Sequence, residues 1–245
     1  MASDNLPKDA PRGHTGMHRK DHDDLCAAGV WIFDLDNTLY PASSNLFDQV
    51  DWKMTAYVSN LLGLPREDAR ALQKQYFREY GTTMRGLMSR HSVDPAEFLD
   101  YVHDIDLAPI SADPILIAAL ERLPGRKVIF TNGSTAHADN ITRHIGIDHH
   151  FEGCFDIIDA GYVPKPAPDT YKAFCRRFDI DPGDAVMVED MAKNLVPAAE
   201  LGMTTVWLDT GVGWSRETSE GGHVHHRIED LSPWLAAITG MPAPS

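Results

Sequence analysis

Two aspartates, Asp34 and Asp36, close the apolar run Val30-Trp31-Ile32-Phe33. Two further acids, Glu189 and Asp190, close the run Ala185-Val186-Met187-Val188. Carboxylates brought into one crevice repel one another unless a cation lies between them. An all-oxygen ligand set of this kind suits magnesium rather than zinc. Thr131 and Asn132 end a third run, Lys127-Val128-Ile129-Phe130, and lead through Gly133-Ser134 into a helical pattern. A hydroxyl and free N–H groups at such a turn can hold an anion. Lys165 stands between Pro164 and Pro166, whose rings stiffen the backbone, so an inward ammonium would be held at modest entropic cost. Each feature has an ordinary reading: Asp-x-Asp and Thr-Asn-Gly as turns, a lysine between prolines as exposed, Glu189-Asp190 as a helix cap with a first-turn acid. Their occurrence in order, at successive element boundaries, favours one site handling an anionic ligand beside a hard cation.

The elements that must position these residues are legible as continuous apolar runs, the pattern of strands buried on both faces. They fall at 29–36, 127–131, 156–159 (Asp-Ile-Ile-Asp), 185–190 and 204–209, with helical patterns at about 113–123, 135–145, 168–178 and 192–201. Strands alternating with helices predict a Rossmann-like α/β core with a doubly wound parallel sheet. Ligands of such a sheet bind outside the carboxyl ends of its strands, where the runs above deliver their acids. Residues 41–111 break the alternation. Leu46, Val50, Met54, Tyr57, Val58 and Leu61 form one helical stripe, Ala69, Leu72, Tyr76, Phe77 and Tyr80 a second, and Phe98, Tyr101 and Val102 a third. This predicts an all-helical cap domain at 41–111, inserted into a core formed by 28–40 and 112–240, with tails at 1–27 and 241–245.

The chain of 245 residues has 22 basic and 36 acidic side chains, a net charge of −14. That balance gives no general attraction for nucleic acid or an anionic membrane, so neither is an expected partner. No run approaches the length of a membrane span, and the polar first 25 residues lack the apolar region of a secretory leader. Cys26, Cys154 and Cys175 cannot all pair. Reduced thiols and a cytoplasmic location follow as expectations.

These residues carry a resemblance. Asp34-Leu35-Asp36-Asn37-Thr38, Thr131-Asn132-Gly133, Lys165-Pro166 and Glu189-Asp190, followed by Asn194, resemble the four motifs of the haloacid dehalogenase superfamily of phosphohydrolases. The resemblance implies Asp34 as nucleophile, Asp36 as acid and base, and Thr131 and Lys165 as phosphoryl ligands. It further implies Mg²⁺ held by Asp34, the Asp36 carbonyl and Asp190, with Glu189 reaching it through water. Dehalogenases of the superfamily lack an acid at the place of Asp36, so its presence favours phosphoester hydrolysis, with a phosphomutase still compatible. Asp34 to Tyr40, Tyr80 to Leu87 and Glu189 to Leu195 are most similar to pyrimidine 5′-nucleotidases. That similarity implies UMP or CMP as substrate, with Thr82, Thr83 and Arg85 of the cap as substrate contacts beside Asn132 of the strand-end crevice, and Gly81 and Gly86 letting a cap loop approach the ligand. Another small phosphomonoester, such as a sugar phosphate, and a catalytically inactive binding protein on the same scaffold are the alternatives. The sequence leaves the oligomeric state open. His149, His150, His223, His225 and His226 read as solvated loop residues rather than metal ligands.

Overall fold

A computed structural model describes residues 25–241. Strands β1 (Val30–Phe33), β2 (Arg126–Phe130), β3 (Gly153–Phe155), β4 (Ala185–Glu189), β5 (Thr204–Leu208) and β6 (His226–Ile228) form one sheet in the order β3-β2-β1-β4-β5-β6. All five pairings are parallel. The direction of winding reverses between β1 and β4, which opens a crevice at their carboxyl ends. Helices α1 (Leu46–Leu62), α2 (Arg66–Tyr80), α3 (Thr83–His91), α4 (Pro95–His103) and α5 (Pro114–Arg122) lie between β1 and β2. Then α6 (Thr135–His144) follows β2, α7 (Pro168–Phe178) follows β3, α8 (Leu195–Glu200) follows β4 and α9 (Leu231–Ile238) follows β6.

Every residue of β1, β4 and β5 is buried, which is why these strands read as unbroken apolar runs rather than as alternation. Trp31, Phe33, Val186 and Val206 face one way and pack with Leu116 and Leu120 of α5, Ile141 of α6 and Leu235 of α9. Ile32, Val128, Phe130 and Met187 face the other way, onto Tyr171 and Phe174 of α7 and Leu195 and Ala198 of α8. The core is therefore a three-layer α/β/α stack. Helices α1 to α4 bury an apolar cluster of their own, including Val50, Val58, Ala69, Tyr76, Leu87, Phe98 and Val102.

In its elements and tails the structure departs from the sequence reading in four places. The strand expected at 156–159 lies one step earlier, as β3, and Asp156 turns the chain instead. Its carboxylate accepts from the N–H groups of Ile158 (2.9 Å) and Asp159 (2.8 Å), and from the N–H of Thr135 at the start of α6 (2.8 Å). Such side-chain capture of nearby N–H groups competes with extended pairing, and it sends Ile157 into the α1–α4 cluster. The segment 80–87, expected as a cap loop, is helical from Thr83 on, where α3 begins. Its Gly86 lies against α2, where a Cβ would come within 2.5 Å of the Tyr76 side chain, so this glycine allows helices to meet rather than a ligand to approach. The edge strand β6 and helix α9 are not among the elements expected from the sequence. Finally, Leu25 is fully buried and Cys26 and Met241 pack against the same cluster, so the core reaches into both expected tails; the rest of those tails, with His14, His18 and His22, lies outside the described residues. No helix among the described residues is long and apolar enough to cross a membrane.

Candidate active site

Phe33 is in register with Ile129 of β2 and Val188 of β4. One residue on, Asp34 stands level with Phe130 and Glu189, and Thr131 and Asp190 follow a step beyond. The Asp34 N–H continues the ladder, donating to the Val188 carbonyl at 3.0 Å. Asn37 then takes a left-handed conformation, φ 60°, which asparagine tolerates better than most residues. That bend turns the chain over the sheet edge and brings Asp36 to the same crevice.

Lys165 arrives from the loop ahead of α7. Its N–H donates to Asn132 Oδ1 at 2.8 Å and its carbonyl accepts from Asn132 Nδ2 at 3.3 Å. The Asn132 amide, expected to touch substrate, is thus used at both ends to seat Lys165. The buried ammonium spends its three hydrogens on Asp34 Oδ1 (2.7 Å), Glu189 Oε2 (2.6 Å) and the Phe130 carbonyl (2.7 Å). Thr38 Oγ1 donates to the other Asp34 oxygen at 3.3 Å. Thr131 Oγ1 accepts from the Gly133 N–H at 2.9 Å, which leaves its own hydrogen to point elsewhere.

Asp34, Glu189 and Asp190 each bring a carboxylate oxygen within 4.8 Å of the others, and all three are buried. One ammonium faces three carboxylates, so negative charge is in excess. Burial and Glu189 push the Asp34 carboxyl up to about 7 despite Lys165, and burial with Glu189 and Asp34 pushes Asp190 well above the ordinary carboxylate range. A buried set of hard oxygen donors with surplus charge fits a divalent cation. Among the described residues no histidine takes part in such a group; His225, for example, accepts the Thr205 N–H at 3.0 Å on its Nδ1.

Because Lys165 is the one cation within salt-bridge distance of Asp34 and Glu189 among the described residues, Lys165→Met is expected to leave both buried without a counter-charge. The expected cost is about 3–5 kcal/mol of unfolding free energy in EDTA, measured by urea denaturation. A loss below about 1 kcal/mol would mean the pair is not held as drawn.

Asp36 is wired differently. Tyr40 Oη donates to its Oδ1 at 2.7 Å, and His137 Nε2 lies 2.9 Å from the same oxygen. Burial alone would raise this carboxyl, but the His137 imidazole and the two hydrogen bonds hold it below its ordinary value. His137 stacks on His103 at 4.1 Å with the rings 11° apart. Burial and the neighbouring His137 push His103 down to about 3, so its ring is neutral at physiological pH. Neither histidine nor Tyr40 was identified from the sequence. The one available sign was the position of His137, three residues after the cap Ser134, where a helical side chain points back toward the strand ends.

The crevice opens into a cleft of about 900 Å³ walled by Asp34, Asp36, Thr131, Asn132, Lys165, Glu189 and Asp190 below and by helices α1 to α4 above. Its upper wall includes Phe47, Met54, Phe77, Met84 and Phe98, with Lys74, Arg78, Thr82 and Thr83. Arg85 does not line it. Thr82 is the cap of α3 and accepts the Arg85 N–H at 3.1 Å, and the next residues wind helically, which presents Thr83 and Met84 to the cleft and turns Arg85 aside. The Thr82 and Thr83 hydroxyls are also engaged, the latter donating to the Gln73 carbonyl at 3.4 Å. On the core side Lys193 lies 4.6 Å from the centre of the Phe77 ring, and Trp214 adds an exposed aromatic wall.

A family model described as haloacid dehalogenase-like hydrolase matches residues 30–202. The chain is 26% identical to phosphate metabolism protein 8 of Saccharomyces cerevisiae over 83% of its length and 63% of that protein's. It is 29% identical to a fructose-1-phosphate phosphatase of Escherichia coli over 39% of its length and 52% of that protein's. The chain thus spans less than two thirds of these two relatives. The solved L-2-haloacid dehalogenase of Xanthobacter autotrophicus superposes with a TM-score of 0.54 at 15% identity, covering 88% of this chain and 100% of that one, a likeness of fold alone.

Proposed function

The chain belongs to the haloacid dehalogenase-like hydrolase family, and on that premise we propose that it is a magnesium-dependent phosphatase of small phosphomonoesters acting through an aspartyl-phosphate. The observation that carries this reading is the buried group of Asp34, Glu189 and Asp190 around Lys165, with Asp36 at its rim. Residues 41–111 act as a cap over it. The Asp34 oxygen attacks phosphorus, the bond from phosphorus to the ester oxygen breaks, and that oxygen leaves with its electron pair and takes a proton from Asp36. Water then attacks the aspartyl-phosphate, gives its proton to Asp36, and releases inorganic phosphate with Asp34 restored. Such acid–base help is worth about 10²–10⁴-fold. A carboxyl held low is a poor acid when alone, but a phosphoryl dianion brought beside Asp36 raises its proton affinity. Thr131 and Lys165 hold phosphoryl oxygens, so the lysine exchanges part of its contact with Asp34 and Glu189 for substrate. Asp34, the Asp36 carbonyl and Asp190 would hold the magnesium ion, which when bound neutralises charge on the phosphoryl group.

The finer reading is a pyrimidine 5′-nucleotidase, acting on UMP or CMP. Support comes from the motif likeness and from a cleft of about 900 Å³ whose walls carry Phe77 and Trp214, large enough for a base and able to stack one. A sugar phosphate is the second reading, favoured by the E. coli relative named for fructose 1-phosphate. With Arg85 turned aside, Phe77 becomes the residue to test. Phe77→Ala is expected to lower kcat/KM for UMP about tenfold, the scale of one stacked base, while leaving a sugar phosphate within about twofold. Comparing UMP, AMP and fructose 1-phosphate in wild type and variant decides this. A sugar phosphate preferred over UMP by about tenfold or more would replace the nucleotidase assignment. Absence of turnover on every ester tried would return the chain to a binding role.

A further inference from the structure

We propose that His137 is a positioning residue for the catalytic acid: together with Tyr40 it pins Asp36 Oδ1 and so delivers Oδ2 to the leaving group. The inference rests on the phosphatase reading above and adds to it a residue 101 positions away from Asp36 in the chain.

Both hydrogen bonds to the Asp36 side chain end on one oxygen, Oδ1. A carboxylate offers no hydrogen, so His137 Nε2 carries it and donates, as the Tyr40 hydroxyl does. With Oδ1 doubly engaged, a proton taken up by Asp36 has its place on Oδ2, the oxygen that carries neither of these bonds. Rotation of the carboxyl group would break two hydrogen bonds at once, so its orientation is fixed before substrate arrives. The His137 ring cannot swing away either. It is buried, its backbone N–H is taken by Ser134 Oγ at 3.3 Å, and His103 covers one face. His103 is itself held at Nδ1 by Ser134 Oγ at 3.0 Å. Since His103 ends α4 and His137 lies on α6, the stack also fixes the last cap helix against the core beside the acid.

A residue that places the leaving-group acid matters in proportion to how badly the leaving oxygen needs a proton. In the magnesium-loaded protein, His137→Ala is therefore expected to lower kcat/KM, which reports the leaving-group step and not the later hydrolysis of the aspartyl-phosphate, by about 30- to 100-fold for an alkyl ester such as glycerol phosphate, inside the range of acid–base catalysis. It should lower kcat/KM for p-nitrophenyl phosphate, whose phenoxide leaves readily, by less than about threefold. His137→Gln, which keeps a donor, should recover most of the alkyl-ester activity, and Tyr40→Phe should give a smaller loss with the same ester selectivity. In an Asp36→Asn background, His137→Ala should cost less than about twofold, because the two act as a unit. Equal losses on both esters, or additivity with Asp36→Asn, would overturn the role. If His137→Ala fails to fold, Tyr40→Phe carries the same comparison, and equal losses there overturn it too. A wild-type protein inert toward both esters would instead overturn the phosphatase reading on which the role depends.

Discussion

Asp34→Asn is expected to lose at least about 10⁴-fold in kcat, the scale seen when a covalent nucleophile is removed, while the folded protein becomes no less stable. The amide keeps an oxygen to accept from Lys165 and nearly the same shape, so packing at the end of β1 is unchanged. It cannot attack phosphorus, and it brings no negative charge to the crevice. In metal-free protein that charge is a burden: three buried carboxylates share one ammonium, and burial together with Glu189 pushes Asp34 up to about 7. Replacing it leaves Lys165 still paired with Glu189 at 2.6 Å and relieves the repulsion. The melting temperature in EDTA at about pH 8 should therefore hold or rise, an exchange of function for stability typical of strained sites. Turnover within tenfold of wild type would remove the covalent mechanism. A large fall in melting temperature with turnover lost would mean that Asp34 is structural first.

The contrast between Asp34 and His137 also marks what the sequence could reveal. Strands β1 and β4 are buried in the middle of a parallel sheet, so each appears as an unbroken apolar run, β2 is apolar and buried over Val128–Phe130, and the acids that close β1 and β4 are visible as the points where the run stops. The parallel register then carries Asp34, Thr131 and Glu189 to one edge without further information. The partners of Asp36 have no such rule. His137 reaches it only because Ser134 starts α6 at a particular angle, and His103 because α4 ends over that helix. Both depend on packing between elements distant in the chain, which periodicity does not encode. The same limit explains Arg85. A loop drawn from Gly81 and Gly86 would have exposed it to the ligand, whereas Thr82 caps a helix there and Gly86 makes room for Tyr76, so the rotation of a helix decides which residue faces the cleft. At 156–159 a local rule won over a pattern: Asp156 bonds to its own downstream N–H groups before the apolar pair can extend β3.

Removal of the divalent cation is expected to cut turnover by at least about 10³-fold, which corresponds to about 4 kcal/mol of transition-state stabilisation. The same cation should stabilise the fold in a pH-dependent way, and the sign follows from the carboxylates. Burial and Glu189 raise Asp34 to about 7 and raise Asp190 well above its ordinary value. A carboxyl raised in the folded state keeps a proton that the unfolded chain has lost, so metal-free stability falls as pH climbs from about 4 through about 7. A bound cation takes the place of those protons and removes the penalty, so its benefit grows over the same window. At a hundredfold excess over its dissociation constant it contributes about 2.7 kcal/mol, or roughly 5–10 °C in melting temperature for a chain of this size. That increment should appear at about pH 8 and shrink to less than half at about pH 5.5, where protons compete for the same oxygens. Asp190→Ala should abolish most of it, and Glu189→Ala less, since Glu189 is already engaged by Lys165. Melting curves with magnesium and with EDTA at the two pH values, run beside activity assays, measure both effects. Full activity in EDTA would show that the buried acids bind no required ion. An increment equal at the two pH values would show that the ion sits away from Asp34 and Asp190, because only at those raised carboxyls must it displace protons to bind.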